Sequence, residues 1–407
     1  MAFITSLRIK NFFSIKDEVS IDFKASQYNI ENNPKRLFEF NGEYYNKVIS
    51  FYGANASGKT TILKSLVFIS SIVNNERTDD FPMSFKNSFA HLNSKSEVNI
   101  GFVLEVNNEY KEFFYTLKLK SEKHKNIGID NEELFFVLNG KKETIFNRKN
   151  RKIKNVDENI IISVFDNLHE KKSLFQEFEK FEKTEILKDI KFFFRTLLSS
   201  SNINVYNTKL GTDSKDEFRL GMILDNHDDK DKTLNNFFIS FFKSINIDIE
   251  KIQVNFNEDT EKDKELKSIE IFHKVNLDEP LDFKLESDGT QMLMKVLLDI
   301  YMIHLVDGVL VIDEFDSIIH PMLTPIIINL LIENNIQIIY STHNIYNMQF
   351  LQNDEVFLIE KNEKHKTTIK PVKDNPDIKG YKNLLTLYEN GYLGGVPNVK
   401  ELITKII

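Results

Sequence analysis

The chain opens with short runs in which apolar and polar positions alternate, and it passes later to helical and to continuously apolar patterns. Residues 3–9 (FITSLRI) and 19–23 (VSIDF) alternate or cluster apolar residues as strands do. Val48 to Tyr52 (VISFY) is a nearly continuous apolar run, which predicts a strand covered on both faces. A glycine-rich turn follows, and then TILKSLVFISSIV has the spacing of a helix. VNIGFVLEV with FFYTLKLK, and ELFFVL with TIFNR, predict an antiparallel sheet, and Asn139-Gly140 is a hairpin-turn signal between the last two.

The pattern changes near residue 150, where RKNRKIKNVDEN is polar and basic and helical spacing takes over as far as LNNFFISFFKSI. We therefore expect a first part at 1–150, an inserted helical subdomain at 151–245 and a third part at 246–407. The charged runs of the insertion read as solvated faces, without the sustained heptads of a coiled-coil arm. In the third part, KIQVNF and SIEIFHKV read as strands, and a long helix starts at Thr290. GVLVIDE and IQIIYSTHN read as buried strands on either side of the helix PMLTPIIINLLIENN. DEVFLIEK and KTTIKPV read as a final strand pair.

Composition narrows the class. With 407 residues, 41% hydrophobic and 28% charged, the chain is expected to be globular with two or three units. Phenylalanine, at 35 copies with no tryptophan, carries the aromatic part of the core. A net charge of −8 argues against a protein that coats duplex DNA, so any nucleic-acid contact must be local. The absence of cysteine excludes disulfides, thiolate metal sites and a cysteine nucleophile. The start lacks the apolar core of a signal peptide, and Met292 to Ile312 is interrupted by Lys295, Asp299, His304 and Asp307. The expected setting is cytoplasmic, without a membrane partner.

Gly53-Ala54-Asn55-Ala56-Ser57-Gly58-Lys59-Thr60 has the G-x-x-x-x-G-K-[ST] pattern of a phosphate loop, between a predicted strand and a predicted helix. Its glycines let backbone N–H groups wrap a phosphate, and the helix N-terminus adds its dipole. Lys59 is a charge for the β- and γ-phosphates of ATP, and Thr60, followed by Thr61, supplies a hydroxyl to magnesium. Val309-Leu310-Val311-Ile312 ends in Asp313 and Glu314, two acids at the edge of a parallel sheet. Asp313 would hold magnesium and Glu314 would polarise the attacking water. Glu286-Ser287-Asp288-Gly289-Thr290-Gln291 opens a helix, with Ser287 26 residues before Asp313, and His343 closes a strand 30 residues after it. Alone, Ser287 reads as a helix N-cap and His343 as a surface histidine. In this order and spacing, the first reads as an anion-binding turn and the second as a partner of a terminal phosphate.

In these elements the chain resembles the ABC-type ATPase heads of the SMC, RecF and OLD proteins. Within them it resembles the AAA-type ATPases of phage-defence and abortive-infection systems, such as RloA, AbiL and the ATPase of the PARIS system. The resemblance is carried by SLRIKNFFSIKD, the phosphate loop, ESDGTQ, VLVIDEFDSIIHP, STHN and YENGYLGGVP. It implies an α/β P-loop head with an antiparallel β-subdomain. It also implies an ATPase that closes head to tail with a second copy, with Ser287 and Gly289 contacting the γ-phosphate held by the partner's phosphate loop. Asp316 and His320 fall where such proteins keep a loop joining the two sites, and His343 matches their switch histidine. The implied role is a dimerising switch in anti-phage defence that controls a separately encoded nuclease or toxin. Only 64 residues follow His343, and they read as ATPase strands, a helix and a tail.

Two positions depart from the family pattern. Asp288 stands where the signature often has glycine, and an acid there would be repelled by a triphosphate unless it points away. The first glutamine after Thr61 is Gln176, inside the insertion, so the usual magnesium-shell glutamine has no assignment. The rival reading is a RecF-like head that binds DNA through Arg148, Lys149, Arg151, Lys152 and Lys154, with Lys361, Lys364 and Lys366. A transporter subunit fits the antiparallel block and the GYLGGVP segment less well.

Overall fold

The computed structural model describes residues 2–74, 86–91, 94–122, 125–156, 168–177, 185–199, 233–256, 266–315, 320–362, 365–375, 383–390 and 392–393. The chain forms two compact units. One is Met1–Tyr206 with Val306–Asp316 and Pro321–Ile407, and the other is Asn207–Leu305 with Ser317–His320.

The first unit is built on two large sheets. One is a seven-stranded antiparallel sheet ordered β10 (Lys152–Val156), β9 (Lys141–Lys149), β8 (Lys125–Leu138), β7 (Glu109–Glu122), β6 (Ser96–Val106), β1 (Phe3–Lys10) and β2 (Val19–Asp22). Asn139 and Gly140 make the β8–β9 turn with φ of 51° and 74°, the left-handed pair that a tight hairpin requires. The other sheet is six-stranded: β11 (Leu197–Ser199), β15 (Val309–Ile312), β16 (Gln337–Ser341), β5 (Val48–Tyr52), β17 (Val356–Lys361) and β18 (Thr367–Pro371). Its first five strands are parallel, and β18 pairs antiparallel to β17. Every residue of β5 is buried, which explains its unbroken apolar run. The unit also carries a hairpin of β3 (Leu37–Phe40) and β4 (Glu43–Asn46).

The core lies around the helix Lys59–Asn74. Its Ile62, Leu63, Leu66, Phe68, Ile69, Ile72 and Val73 join buried residues of both sheets, among them Ile49, Phe51, Ile100, Phe102, Val311 and Ile339. The two sheets are also spliced by one amide. Gln337 on β16 accepts from Ile4 N (2.8 Å) and donates to Ile4 O (3.0 Å) and Asn46 O (3.1 Å). A side chain there completes the backbone bonding of β1 where its pairing with β6 shifts between Ile4 and Ser6.

The stretch expected as a helical subdomain at 151–245 is divided differently. β10 continues the antiparallel sheet past residue 150, and β11 enters the parallel sheet beside β15. The helix Glu185–Arg195 buries Leu187, Ile190, Phe193 and Phe194 in the same core, and Phe194 O accepts from Ser70 Oγ on the phosphate-loop helix. The reason is its strongly one-sided apolar face, which needs a core and finds the nearest one. The second unit begins at Asn207, and among the described residues it takes from the expected stretch the helix Thr233–Ser244 at its far end.

The second unit contains that helix and a three-stranded antiparallel sheet of β12 (Ile249–Phe256), β13 (Leu266–His273) and β14 (Asn276–Asp282). It also holds most of the long helix Asp288–Val306, whose length and mean hydropathy would suit a membrane span. That helix instead buries Leu293, Met294, Val296, Leu297, Leu298, Ile300 and Ile303 within the fold.

Candidate nucleotide-binding site

The loop 53–60 runs from the C-terminal end of β5 into the helix Lys59–Asn74. Gly53 has φ of +155°, and a Cβ there would meet Ile359 O of β17 at 2.3 Å, so only glycine fits. Gly58 has φ of +124°, and Ala56 is also left-handed at +60°. Alternation of this kind turns successive N–H groups to one side, the concave arrangement that receives an anion. Lys59 is buried, with Nζ donating to the loop's own Gly53 O (2.8 Å) and Ala54 O (3.2 Å). Ser57 Oγ is buried without a hydrogen-bond partner. A buried hydroxyl without a partner costs free energy, so the loop is unfinished without a further acceptor or donor.

Two strands from β5 in the same sheet, Asp313 is buried at the end of β15 and accepts from Ser341 Oγ at the end of β16. Ser341 Oγ in turn accepts from Glu314 N (2.9 Å). One hydroxyl therefore braces both acids. Glu314 is exposed, with φ of +51°, a conformation that non-glycine residues rarely adopt and that cannot continue the strand. His343 is exposed two residues beyond Ser341. It lines a cleft of about 570 Å³ with Tyr52, Gly53, Ala54, Asn55, Thr342 and Ile345, closed by Tyr388 and Glu389 of the helix Leu384–Glu389. Burial raises the Tyr388 phenol above its ordinary range.

Magnesium fits these residues. Asp313 keeps only one oxygen engaged by Ser341, and Thr60 stands half-buried at the start of the phosphate-loop helix. No group of three metal-ligating side chains occurs among the described residues, and a phosphate-bound magnesium needs only one or two from the protein.

Ser287 and Gly289 belong to the second unit. Ser287 is exposed and its Oγ accepts from Thr290 N (3.1 Å), so it caps the helix Asp288–Val306. Gly289 is exposed, and a Cβ on it would meet nothing nearer than Ser287 Oγ at 3.9 Å. Next to them, His273 Nε2 lies 2.6 Å from Glu286 Oε1 and its Nδ1 lies 2.6 Å from Asp248 O. His320 is exposed, while Asp316 lies outside the described residues.

Arg148 corrects the list of DNA-contact candidates. It is fully buried, 3.7 Å from Glu132, and donates to Lys172 O (2.7 Å) and His169 O (3.2 Å). Strand alternation puts it on the inward face with Phe146, so the period-2 signal was there beneath the basic composition. Lys149, Arg151, Lys152, Lys154 and Lys366 are exposed, and Lys364 lies outside the described residues. Gln176 is also structural, since its Nε2 donates to Ile72 O (2.7 Å) near the far end of the phosphate-loop helix.

Four contributors to the site were not read from the sequence. Ser341 sits in the recognised STHN run, but only the fold shows it bridging Asp313 and Glu314. Tyr388 and Glu389 come from the C-terminal YENGYLGG segment. Ser14 shares a 2.6 Å hydrogen bond with Thr61 Oγ1, bringing the NFFSIKD loop against the phosphate loop.

A family model described as "AAA domain, putative AbiEii toxin, Type IV TA system" matches residues 48–348, more than half of the chain. No curated protein matches it. Among solved structures, the chain is similar to the SMC head domain from Thermotoga maritima, at 17% identity and a TM-score of 0.43, covering 90% of this chain and 98% of that one. It is also similar to the SmcHead bound to the C-winged helix domain of ScpA, at 13% identity and a TM-score of 0.46, covering 90% and 97%. A third likeness is to the Smc head domain with an extended coiled coil bound to the C-terminal domain of ScpA derived from Pyrococcus furiosus, at 12% identity and a TM-score of 0.45, covering 91% and 96%.

Proposed function

Because the chain belongs to the AbiEii-type AAA-domain family, we propose that it binds and hydrolyses ATP with magnesium at the phosphate loop and acts as a dimerising switch in anti-phage defence. The observation that carries this reading is the bracing of Asp313 and Glu314 by Ser341 at the same sheet edge from which the phosphate loop springs.

Each residue then has a task. The backbone N–H groups of 53–60, with Gly53, Asn55, Ala56, Ser57 and Gly58, wrap the phosphates, and Lys59 leaves the loop carbonyls to neutralise their charge. Magnesium, when bound, neutralises charge on the β- and γ-phosphate oxygens. Thr60 and Asp313 hold it, with Thr61 beside them. Glu314, turned off the strand end by its left-handed backbone, orients and deprotonates the attacking water. His343 donates to the terminal phosphate from the wall of the cleft. Ser287 and Gly289 complete the site of a second copy, and exposed Gly289, with open space around it, lets that partner's phosphates come close. The output is control of a separately encoded nuclease or toxin effector.

The test is the Glu314→Gln protein, expressed with its native gene neighbours and purified in ATP and magnesium. The expected result is a trapped ATP-bound dimer carrying a stoichiometric protein with nuclease or toxin features. Wild-type turnover in that variant would remove Glu314 from its role. Nuclease-sensitive DNA with no protein partner would favour a DNA-binding repair head.

A further inference from the structure

Two aromatic rings from distant segments meet beside the phosphate loop without being buried. Phe89 and His365 stack with centroids 4.0 Å apart and planes 7° from parallel, and Phe89 remains 59% exposed. Both arms that carry them are tied to the same part of the loop. On one side, Asn87 Nδ2 donates to Phe13 O (2.7 Å), Phe89 N donates to Asn87 Oδ1 (2.9 Å), and Ser14, next to Phe13, bonds Thr61. On the other side, His365 sits at the tip of the β17–β18 hairpin with φ of +57°, its N–H donating to Asn362 O (2.9 Å). Thr367, two residues along, donates through Oγ1 to Ser57 O (3.3 Å) and fills the space next to Gly58.

We propose that the Phe89–His365 stack is the platform for the purine base of the nucleotide whose phosphates the loop 53–60 holds; this rests on the nucleotide-binding reading above. Two residues of extended chain span about 7 Å, so His365 lies within a nucleotide's reach of Ser57. The site supplies a stacked, exposed π-face, which suits a base recognised by stacking. A pair whose only task was to pin the 86–91 loop to the hairpin would gain most by being covered, yet the ring of Phe89 is left open.

The test compares MgATP with magnesium tripolyphosphate, which lacks base and sugar, by calorimetry on wild type and on Phe89→Leu, an apolar replacement that removes the aromatic face and keeps each arm's hydrogen bonds to the loop. Wild type is expected to bind ATP at least about tenfold more tightly than tripolyphosphate, and Phe89→Leu to lose most of that margin with tripolyphosphate binding unchanged. Because the chain has no tryptophan, Phe89→Trp adds a single indole whose emission ATP should quench and tripolyphosphate should not. Equal losses for both ligands, or none, overturn the platform. Quenching by a single-stranded oligonucleotide and not by ATP overturns it in favour of nucleic acid. If tripolyphosphate itself fails to bind, the phosphate-loop reading falls, and the platform with it.

Discussion

Two glycine turns of this protein, the phosphate loop and the turn at 287–289, are built on opposite terms. Around the phosphate loop, Gly53 is forced: its φ is +155° and the Ile359 carbonyl fills the place of a side chain. Around the signature turn, nothing forces Gly289, which is exposed and has room for a Cβ. A residue dictated by its own fold says little about ligands beyond the shape it permits. A glycine the fold does not need, at a helix start where alanine would be the better helix former, points to something outside the unit. The phosphate loop thus carries its own scaffold, whereas the turn at 287–289 leaves its glycine unconstrained by the fold.

Gly53→Ala is the most damaging of these changes. It should cost more than about 2 kcal/mol and abolish nucleotide binding, read by denaturation and by calorimetry with MgATP. Gly289→Ala should do the reverse to the fold, stabilising it by about 0.5–1 kcal/mol in chemical denaturation. In the Glu314→Gln background the same change should weaken ATP-driven pairing, measured by light scattering; unchanged pairing would end the signature role. Ser341→Ala removes the hydroxyl that braces both acids. We expect turnover to fall about 10- to 100-fold with ATP affinity little altered, checked by steady-state kinetics on the magnesium nucleotide.

The smallest effect concerns the far end of the phosphate-loop helix, where Gln176 and Ser173 both donate to Ile72 O. That segment is clasped by Glu132, which accepts from Leu174 N and Tyr115. Burial pushes the Glu132 carboxyl above its ordinary range against the opposing pull of Arg148, Leu174 N–H and Tyr115. A raised carboxylate contributes stability that is fully present below its unfolded value and is lost as pH rises through the folded one. The stability of wild type relative to Glu132→Gln should therefore fall as pH rises from about 4.5. Denaturation of both proteins across that range would show it, and a flat difference would mean the pair stays ionised throughout.

What was legible in the chain were the elements whose chemistry is local. The run VISFY before the phosphate loop, the acids after VLVI and the Asn139-Gly140 turn each declare themselves within a few residues. The misreadings have a common physical source. Arg148 looked solvated because its neighbours in sequence are basic, while its neighbours in space are Glu132 and two carbonyls. The helix Glu185–Arg195 looked like part of an insertion, and its apolar face found the core of the first unit. Ser14, Ser341 and Glu389 reach the site through contacts that span the fold, and no window of sequence contains both partners.

The position of β5 carries a consequence for how the protein is made. Its hydrogen-bonded neighbours are β16 and β17, and the 284 residues 53–336 must be synthesised between β5 and the first of them. At roughly 5–20 residues per second, the strand that launches the phosphate loop waits tens of seconds on the ribosome with both edges unpaired. The antiparallel β1–β2 hairpin and the β6–β10 sheet can form in that interval, because their partners are already present. The phosphate-loop site is thus among the last features of the chain to come into being, and an interrupted translation product would hold its apolar strand without either sheet partner.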